Sequence, residues 1–219
     1  MTKAHSPWLS TDSWLSDALG KAAYRLSPNT GPISESREQR LEAENSLNIL
    51  AEEECFIYAK VPVDDLSIVN WFQDQGFSLI ETNLQLARST RPIEVWSAHD
   101  VGFAVESDKK AVLEIARESF QFSRFHMDTK IGNRKANDLK ADWAGNFFKG
   151  LRGVSMVVAR NETTVTGFLL LMKNGSDLII DLIAIKEHSR GQGLGKAMIA
   201  FSIDSFPEVE KIVVGTQLS

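Results

Sequence analysis

The sequence feature that most constrains the fold is a glycine-rich turn between a strand pattern and a helix pattern near the end of the chain. Residues 178–185 are almost continuously apolar, as in a buried strand, and residues 193–205 have the spacing of an amphipathic helix. Three glycines in the turn remove side chains that would keep a ligand away: Gly191, Gly193 and Gly195. The first amides of a helix lack intrahelical partners and its N-terminal end is positive, and Arg190 and Lys196 add charge. The turn therefore predicts a site that binds pyrophosphate through backbone N–H groups.

Two other phosphate-binding patterns fit this turn less well. A P-loop needs Gly-Lys-Ser/Thr after a fixed four-residue gap, which this turn lacks. A dinucleotide-binding fingerprint needs an N-terminal βαβ unit with an acidic residue on the next strand. Here the turn follows three predicted strands that Asn161-Glu162 and Asn174-Gly175 join into an antiparallel meander: residues 154–160, 165–172 and 178–185. A glycine-rich turn that binds no ligand is the remaining alternative.

Strands and helices alternate in the prediction for roughly the first 95 residues. Residues 1–28 are irregular except for a short apolar stretch at 22–26, which predicts a strand. The following elements are a helix at 34–54, a strand at 56–61, a helix from Asp64 or Asp65 to Gln75 that Gly76 ends, and a strand at 77–86. Residues 89–101 have no steady period and contain Pro92, so we expect a connector there.

The second half of the chain predicts two helices before the meander and one strand after the glycine-rich turn. These elements are a helix over residues 108–120 with Asp108 at its N-cap, a polar–aromatic loop at 121–137, a helix over 138–150, and a last strand at 211–215 after Pro207 ends the preceding helix. We therefore expect an α/β (mixed α+β) protein with two domains, residues 1–95 and 96–219.

The charge balance and the cysteine count exclude several classes of function. The chain has 24 Lys and Arg against 29 Asp and Glu, a formal net charge of −5, which argues against a nucleic-acid partner. Cys55 is the only cysteine, so an internal disulfide and a cysteine zinc site are excluded and a cytoplasmic location is the default. The longest apolar run, at residues 168–172, is far shorter than the ~20 residues that span a bilayer, so no membrane partner is expected.

The glycine-rich turn also resembles a known family. Arg190-Gly-Gln-Gly-Leu-Gly195 matches the Arg/Gln-x-x-Gly-x-Gly/Ala signature of the GCN5-related N-acetyltransferase (GNAT) superfamily, and the resemblance extends over residues 101–219. It implies a GNAT fold in which the strand at 181–185 splays from the strand at 211–217. It also implies acetyl-CoA as co-substrate, with pantetheine on Ile183, Ala184 and Ile185 and the pyrophosphate on Arg190, Gly191, Gln192, Gly193, Leu194, Gly195 and Lys196.

A narrower resemblance lies in the loop and helix before the meander. Residues 122–128, together with Trp143, Asn146 and Gly150, are similar to bacterial TDP-fucosamine acetyltransferases and related sugar N-acetyltransferases. The resemblance implies an acceptor site lined by Arg124, His126, Asp128 and Asn146. A solvated loop with a local Arg–Asp pair, and a helix-surface role for the Asn, are the alternatives. Trp143 fits the apolar stripe of its helix better than a substrate platform. No metal site is expected, since nothing nearby completes a coordination shell around one His and one Asp.

Acetyl transfer to an amine also requires a base. The nucleophile must be uncharged, so a group must take its proton, usually through water. Asp181, at the start of the strand that meets the coenzyme, is the candidate catalytic residue, and ordering of the loop is its alternative role. His188 fits a loop residue better than a catalyst, and Cys55 a buried residue better than a nucleophile.

Several elements of the family have no counterpart after the last predicted strand. A GNAT domain normally continues with an Asn that touches the coenzyme, a helix, a general-acid tyrosine and two closing strands. No tyrosine follows Tyr58, and the sequence ends at Ser219, so the resemblance predicts either a truncated domain or closing strands that come from elsewhere. Residues 68–87 resemble the closing helix, Gly-Phe turn and hairpin, which predicts a half-GNAT N-terminal unit. We expect this segment not to replace the closing strands, because its linker would have to cross the coenzyme site.

These features predict an N-acetyltransferase that uses acetyl-CoA and acetylates a small-molecule amine by direct attack on the thioester. A nucleotide-linked amino sugar, such as a TDP-amino sugar, is the favoured acceptor, and the enzyme could form a homodimer. Backbone amides of the strand before the turn would polarise the thioester carbonyl. The alternatives are another small amine, a protein N-terminus, or a coenzyme-binding or regulatory protein without turnover.

Overall fold

The chain divides into two compact units, Met1–Leu79 and Ile80–Ser219. The computed structural model describes residues 8–27, 37–50, 54–94 and 99–218. Within these ranges, no helix is both long and apolar enough to cross a membrane. The predicted division after residue 95 lies beyond the strand Thr82–Ser89, which the structure places in the sheet of the second unit.

The first unit is a three-stranded sheet whose strands alternate with helices. In chain order its elements are β1 (Leu9–Thr11), α1 (Ser13–Leu19), β2 (Ala22–Leu26), α2 (Arg37–Leu50), β3 (Cys55–Ala59) and α3 (Leu66–Asp74). β2 pairs antiparallel with β1 and parallel with β3. The apolar core of this unit contains Trp8, Leu26, Ala43, Ile68, Trp71 and Phe72.

Short-range capping signals determine where the helices of the first unit begin and end. Asp65 caps α3 through its carboxylate, and Gly76 follows the helix with φ of +83°, as the sequence predicts. The expectation of an irregular start over residues 1–28 is wrong for the described part, which contains β1 and α1. The missed signal is Asp12, whose carboxylate accepts from the backbone N–H of Leu15 at 2.9 Å and so caps α1.

The second unit is a six-stranded sheet with helices on its two faces. In chain order its elements are β4 (Thr82–Ser89), β5 (Asp100–Phe103), α4 (Lys109–Ser119), α5 (Arg124–Met127), α6 (Asn133–Phe148), β6 (Ser155–Asn161), β7 (Thr164–Asn174), β8 (Asp177–Ile185), α7 (Leu194–Ser205) and β9 (Lys211–Leu218). The strands lie in the order β4-β9-β8-β7-β6-β5. The antiparallel meander β6-β7-β8 is therefore confirmed.

Alternate side chains of the central strand β7 enter two apolar cores. Phe168 and Leu170 pack in a core with residues of α4 and α6, whereas Leu169 and Leu171 pack in a core with residues of α7. A strand buried on both faces is nearly continuously apolar, and this explains the long apolar run in the sequence. The two cores thus bury both faces of β7, the strand with which the strand before the glycine-rich turn pairs.

Two predicted boundaries in the second unit are wrong. The strand predicted at 77–86 begins only at Thr82. The side chains of this strand are mostly exposed, so the sequence carries no apolar period that marks its ends, and pairing with β9 determines them. The loop predicted at 121–137 contains α5 and the first turn of α6. That first turn is polar, with Ala136 as its buried residue, so it carries no clear helical period.

The parallel pairing of β8 with β9 is short. It runs from Asp177 opposite Lys211 to Ile180 opposite Val214. Beyond that point β8 continues to Ile185 paired with β7, while β9 continues to Leu218 paired with β4. A gap therefore opens between the two strands toward their C-terminal ends, as the resemblance implied.

The strand β4 corrects the expectation that residues 68–87 would not replace a closing strand. β4 pairs antiparallel with β9 along its whole length, from Thr82 opposite Leu218 to Ser89 opposite Lys211. Because the strands are antiparallel, β4 ends beside the start of β9, away from the gap. Thr90 is fixed there by its N–H bond to the Glu210 carbonyl at 3.1 Å. The start of the linker after β4 therefore lies at the end of the sheet away from the gap, and the observed pairing overturns the expectation.

The register of β4 against β9 predicts a specific cross-strand disulfide. In a Cys55→Ser background, Leu84→Cys with Thr216→Cys should form a disulfide on mild oxidation, because these residues are directly opposed. Leu84→Cys with Gln217→Cys is the matched control, since the adjacent residue points to the other face of the sheet. Thiol titration and intact mass measure both. Free thiols in the first pair, or equal oxidation of the two pairs, would contradict the pairing.

Candidate active site

The gap between β8 and β9 exposes a backbone edge at the predicted pantetheine residues. Ile183, Ala184 and Ile185 pair with β7 on one side and have no strand partner among the described residues on the other. The side chains of Ile183 and Ile185 pack toward the α7 core, and Ala184 is buried in the opposite core. The side chains are thus engaged with the protein, and the free edge presents backbone N–H and C=O groups to a ligand.

The glycine-rich turn has left-handed backbone at two of its glycines. Gly191 has φ of +77° and Gly193 has φ of +82°. A Cβ on Gly191 would meet nothing within 4 Å, and one on Gly193 would lie 3.6 Å from His99 Nε2, so backbone conformation rather than space selects glycine there. Gly195 differs, because it is helical and its Cβ would lie in ordinary contact with Ile185 Cδ1 at 3.5 Å.

The N-terminus of α7 leaves several amides free at the end of β8. The first intrahelical backbone bond runs from Ala197 N–H to the Gly193 carbonyl at 3.0 Å, and none of the described side chains caps the helix. The amides of residues 194–196 therefore face outward at the positive end of the helix dipole. Arg190 Nε donates to the Ile185 carbonyl at 3.2 Å, which ties the turn to the strand end. The predicted residues 190–196 thus lie beside residues 183–185 and fit a pyrophosphate.

Asp181 lies at a bulge in β8 where the gap begins. Leu170 opposes Leu182 and Leu171 opposes Ile180, so Asp181 has no partner on β7. Its carboxylate accepts a bidentate pair of bonds from Arg152, with Nε at 2.6 Å and Nη2 at 2.7 Å.

A third donor, Trp143 Nε1, lies 2.8 Å from Asp181 Oδ2. The Asp181 side chain is 9% exposed. Three donors already occupy its two oxygens. This supports a role of Asp181 in ordering the loop rather than a role as the catalytic base. The catalytic role of Asp181 stays a prediction.

The predicted acceptor residues lie on α5, in the loop after it and on α6, and most of their polar atoms have partners. His126 contacts Ser123 Oγ at 2.7 Å through Nδ1 and Asn137 Oδ1 at 2.8 Å through Nε2, so it joins α5 to α6. Asp128 Oδ1 accepts from a backbone N–H within its own loop. The acceptor roles of His126 and Asp128 therefore stay predictions.

The side chains of Arg124 and Asn146, the other two predicted acceptor residues, have different neighbours. The Arg124 guanidinium lies 4.6 Å from the centroid of the Phe125 ring. Lys140 Nζ lies 5.8 Å from the same ring, so the two cations share one aromatic neighbour. Asn146 is buried, and its side-chain oxygen lies 3.4 Å from Lys149 Nζ. The structure thus brings Arg124 close to Lys140, whereas Asn146 accepts hydrogen bonds from Lys149 and Leu151, in the turn that follows α6.

Lys140 is a site residue that the sequence analysis missed. Its side chain lies on the inner face of α6 and is 7% exposed. Its ammonium nitrogen is surrounded by three aromatic rings, at 4.7 Å from the centroid of Phe120, 4.8 Å from Trp143 and 5.8 Å from Phe125. In the described part of the chain, no group accepts a hydrogen bond from it. A lysine at helical spacing with Ala136 and Trp143 was the available signal, because that stripe is otherwise apolar.

Lys140 lies among four charged side chains from different elements, and we call the five residues the charged cluster: Glu81, Arg124, Lys140, Arg152 and Asp181. Burial, together with the charges of Arg124 and Arg152, lowers the pKa of Lys140 from 10.5 to about 8, although Glu81 and Asp181 act in the opposite direction. Glu81 and Arg152 carried no sequence signal, because only the sheet topology brings them to α6.

One carboxylate oxygen of the charged cluster lacks a hydrogen-bond donor. Glu81 Oε2 is buried, and no described group donates a hydrogen bond to it. A buried carboxylate oxygen without a donor is costly. The site therefore suits a ligand that brings an N–H group to this oxygen.

Comparison with known proteins agrees with this geometry. The sequence model of the Acetyltransferase (GNAT) family matches residues 109–219, just over half of the chain. The spore coat polysaccharide biosynthesis protein SpsD of Bacillus subtilis (strain 168) is 29% identical over 177 residues, which cover 76% of this chain and 59% of that protein. The chain thus spans about three fifths of the length of this relative.

Solved structures share the fold at low sequence identity. A GCN5-related N-acetyltransferase from Sphaerobacter thermophilus has a TM-score of 0.57 at 12% identity, over 90% of this chain and 64% of that one. A GCN5-related N-acetyltransferase from Kribbella flavida has a TM-score of 0.57 at 10% identity, over 89% of this chain and 71% of that one. At these identities the likeness concerns the fold alone.

The lowered pKa of Lys140 predicts how its substitution changes stability with pH. Between about pH 8 and pH 10.5 the unfolded chain binds more protons than the folded chain, so wild-type stability rises with pH in that window. The free energy of unfolding of Lys140→Met relative to wild type should therefore fall across the window, by at most about 3 kcal/mol, and stay constant below pH 8. Urea unfolding between pH 7 and 10.5 measures it. Lys135→Met, at an exposed position of α6, is the control and should show no such change. If the difference in the free energy of unfolding between Lys140→Met and wild type does not change with pH, the lowered pKa of Lys140 is contradicted.

Proposed function

This chain belongs to the Acetyltransferase (GNAT) family, whose members are N-acetyltransferases that use acetyl-CoA, and we propose that it acetylates the amino group of a nucleotide-linked amino sugar. The observation that carries the proposal is the free helix N-terminus beside the unpaired edge of β8, because one ligand with a pyrophosphate and an extended arm can use both. The name of SpsD, a protein of polysaccharide biosynthesis, supports a sugar as the acceptor.

The coenzyme site combines two kinds of backbone contact. The amides of residues 191–196 would hold the pyrophosphate, with Arg190 and Lys196 adding positive charge. The free edge at residues 183–185 would pair with the amide groups of pantetheine, as one strand pairs with another. The bound coenzyme supplies a thioester whose carbonyl carbon accepts the amine. The bulge at Asp181 turns the strand at the place where the gap begins, so backbone N–H groups there can polarise that carbonyl.

The charged cluster is the proposed acceptor end of the site. Its three cations, Arg124, Lys140 and Arg152, outnumber Glu81 and Asp181, and Asp181 is already paired with Arg152. The remaining positive charge favours an acceptor with anionic groups, such as the diphosphate of a nucleotide sugar. The partly exposed ring of Phe120 gives the same region apolar surface for a deoxysugar.

The transfer replaces a C–S bond by a C–N bond, so the amine loses a proton and the thiolate gains one. The chain contains two tyrosines, Tyr24 and Tyr58, and both belong to the first unit. Tyr58 donates its phenolic O–H to Asp12 at 2.8 Å. A coenzyme-binding protein without turnover is the second candidate, because both carboxylate oxygens of Asp181 already accept hydrogen bonds from Arg152 and Trp143.

Two glycine substitutions test the coenzyme site. Gly193→Ala places a Cβ on left-handed backbone, which costs of the order of 1–3 kcal/mol, so acetyl-CoA should bind roughly tenfold more weakly. Gly195→Ala is the matched control and should bind within about twofold of wild type, because its Cβ makes ordinary contact. Calorimetry with acetyl-CoA measures both. If the wild-type protein does not bind acetyl-CoA at near-millimolar concentration, the proposal is wrong. Equal losses of affinity in both variants would contradict a pyrophosphate site that depends on the left-handed backbone of the turn.

A thiol-release assay tests transfer to the acceptor. We expect wild-type protein to release CoA from acetyl-CoA in the presence of a TDP-4-amino-4,6-dideoxyhexose. The same nucleotide sugar with a hydroxyl in place of the amine is the control and should give no release. Acetyl-CoA binding without release for any TDP-amino sugar would favour the protein without turnover.

A further inference from the structure

Lys140 has no role in the coenzyme site, and its ammonium has aromatic neighbours but no hydrogen-bond acceptor among the described residues. Its ammonium lies among the rings of Phe120, Phe125 and Trp143, and no described residue accepts a hydrogen bond from it. The ring faces attract a cation, but burial of an ammonium without an acceptor costs more than the apolar side chain that would fill the same space. A purely structural position would therefore favour Met or Leu.

Charged groups face Lys140 from each side of the cluster. Arg124 comes from α5, Arg152 from the turn after α6, Asp181 from β8, and Glu81 from the residue before β4. The two arginines oppose a further positive charge at Lys140, and Asp181 is held by Arg152. The anionic atom that remains is Glu81 Oε2, which lacks a donor. The N–H groups of an amine bound between Glu81 and Lys140 would satisfy it.

From this arrangement we infer that Lys140 is the catalytic base, which takes the proton from the acceptor amine while Glu81 Oε2 holds that amine by a hydrogen bond. The inference rests on the proposed function. The acceptor enters as R–NH₃⁺ and passes one proton to the neutral Lys140 amine. The free amine attacks the thioester carbonyl, the C–N bond forms and the C–S bond breaks. The nitrogen loses its second proton to water, and CoA leaves as a thiolate that water protonates.

Other titratable groups near the acceptor end are less suited to this step. Both oxygens of Asp181 accept bonds from Arg152 and Trp143. Both ring nitrogens of His126 contact Ser123 and Asn137. Glu81 has a free oxygen, and we assign to it the hydrogen bond that holds the amine. Burial lowers the pKa of Lys140 to about 8, so roughly a tenth of it is neutral at pH 7 and proton transfer from an amine is nearly balanced.

The pH dependence of turnover separates this role from a structural one. With a TDP-4-amino-4,6-dideoxyhexose as acceptor, wild-type kcat/KM should rise about tenfold per pH unit below a pKa near 8. Lys140→Met should lower kcat about 100-fold or more and leave the KM for acetyl-CoA unchanged. It should also abolish the rise of kcat/KM below pH 8, which we call the limb near pH 8. Lys140→Arg keeps the charge but cannot lose a proton, and it should behave like Met. Lys135→Met should match wild type at all pH values.

Glu81→Gln distinguishes holding of the amine from proton transfer. It should raise the KM for the amino sugar and leave the limb near pH 8 in place. If Lys140→Met retains that limb, the limb belongs to the acceptor's own amine and Lys140 is not the base. If Glu81→Gln abolishes the limb, Glu81 is the base and the inference is overturned.

A measurement without acceptor keeps the inference independent of the proposed substrate. Competitive labelling of the full chain with trace acetic anhydride between about pH 6 and 11, read by peptide mass spectrometry, gives the apparent pKa of individual lysines. Lys140 should titrate near 8. A wild-type protein that acetylates none of the test sugars would reject the proposed acceptor alone. Lys140 labelling with an ordinary lysine pKa would overturn the role of Lys140 whatever the sugar result.

Discussion

The early end of the parallel pairing between β8 and β9 is the constraint on which the rest of the site depends. After Ile180 and Val214 the two strands turn to different neighbours, and β8 keeps an unpaired backbone edge up to the turn that begins α7. An unpaired edge inside a sheet is costly unless something occupies it. The bulge at Asp181, held by Arg152 and Trp143, lies at the start of this edge and fixes where the strands part. The proposed coenzyme site is thus a gap in the sheet between two strands that pair with different neighbours.

The strand β4 makes this arrangement possible, because it pairs with β9 on the side away from β8. Without it, the half of β9 beyond Val214 would have no strand neighbour among the described residues. β4 comes from the part of the chain before the family-matched region, so sequence order and sheet order differ here. Glu81, the residue before this strand, carries the unpartnered oxygen that faces the cluster around Lys140. The same pairing therefore completes the sheet and supplies one wall of the proposed acceptor site.

Local signals in the sequence were sufficient where short-range physics decides the structure. The caps of α3, the meander and the left-handed glycines of the turn follow from residue types at fixed spacing. Contacts that depend on topology were not predictable, so the objection to β4 beside β9 was wrong. Arg152 and Glu81 were missed for the same reason. Lys140 was the exception, since a lysine on an apolar helix stripe is visible in the sequence. The predicted roles of Asp181, His126 and Asp128 remain predictions, because the structure shows them bonded within their own surroundings.

Hydrogen–deuterium exchange with and without acetyl-CoA tests the central claim most directly, because the claim concerns backbone amides. Binding at the gap should slow exchange in peptides that cover residues 182–186 and 191–196, while peptides of the first unit, such as those that cover α3, should be unchanged. Protection of the first unit alone, or acetyl-CoA binding that leaves both segments of the second unit unprotected, would contradict the account.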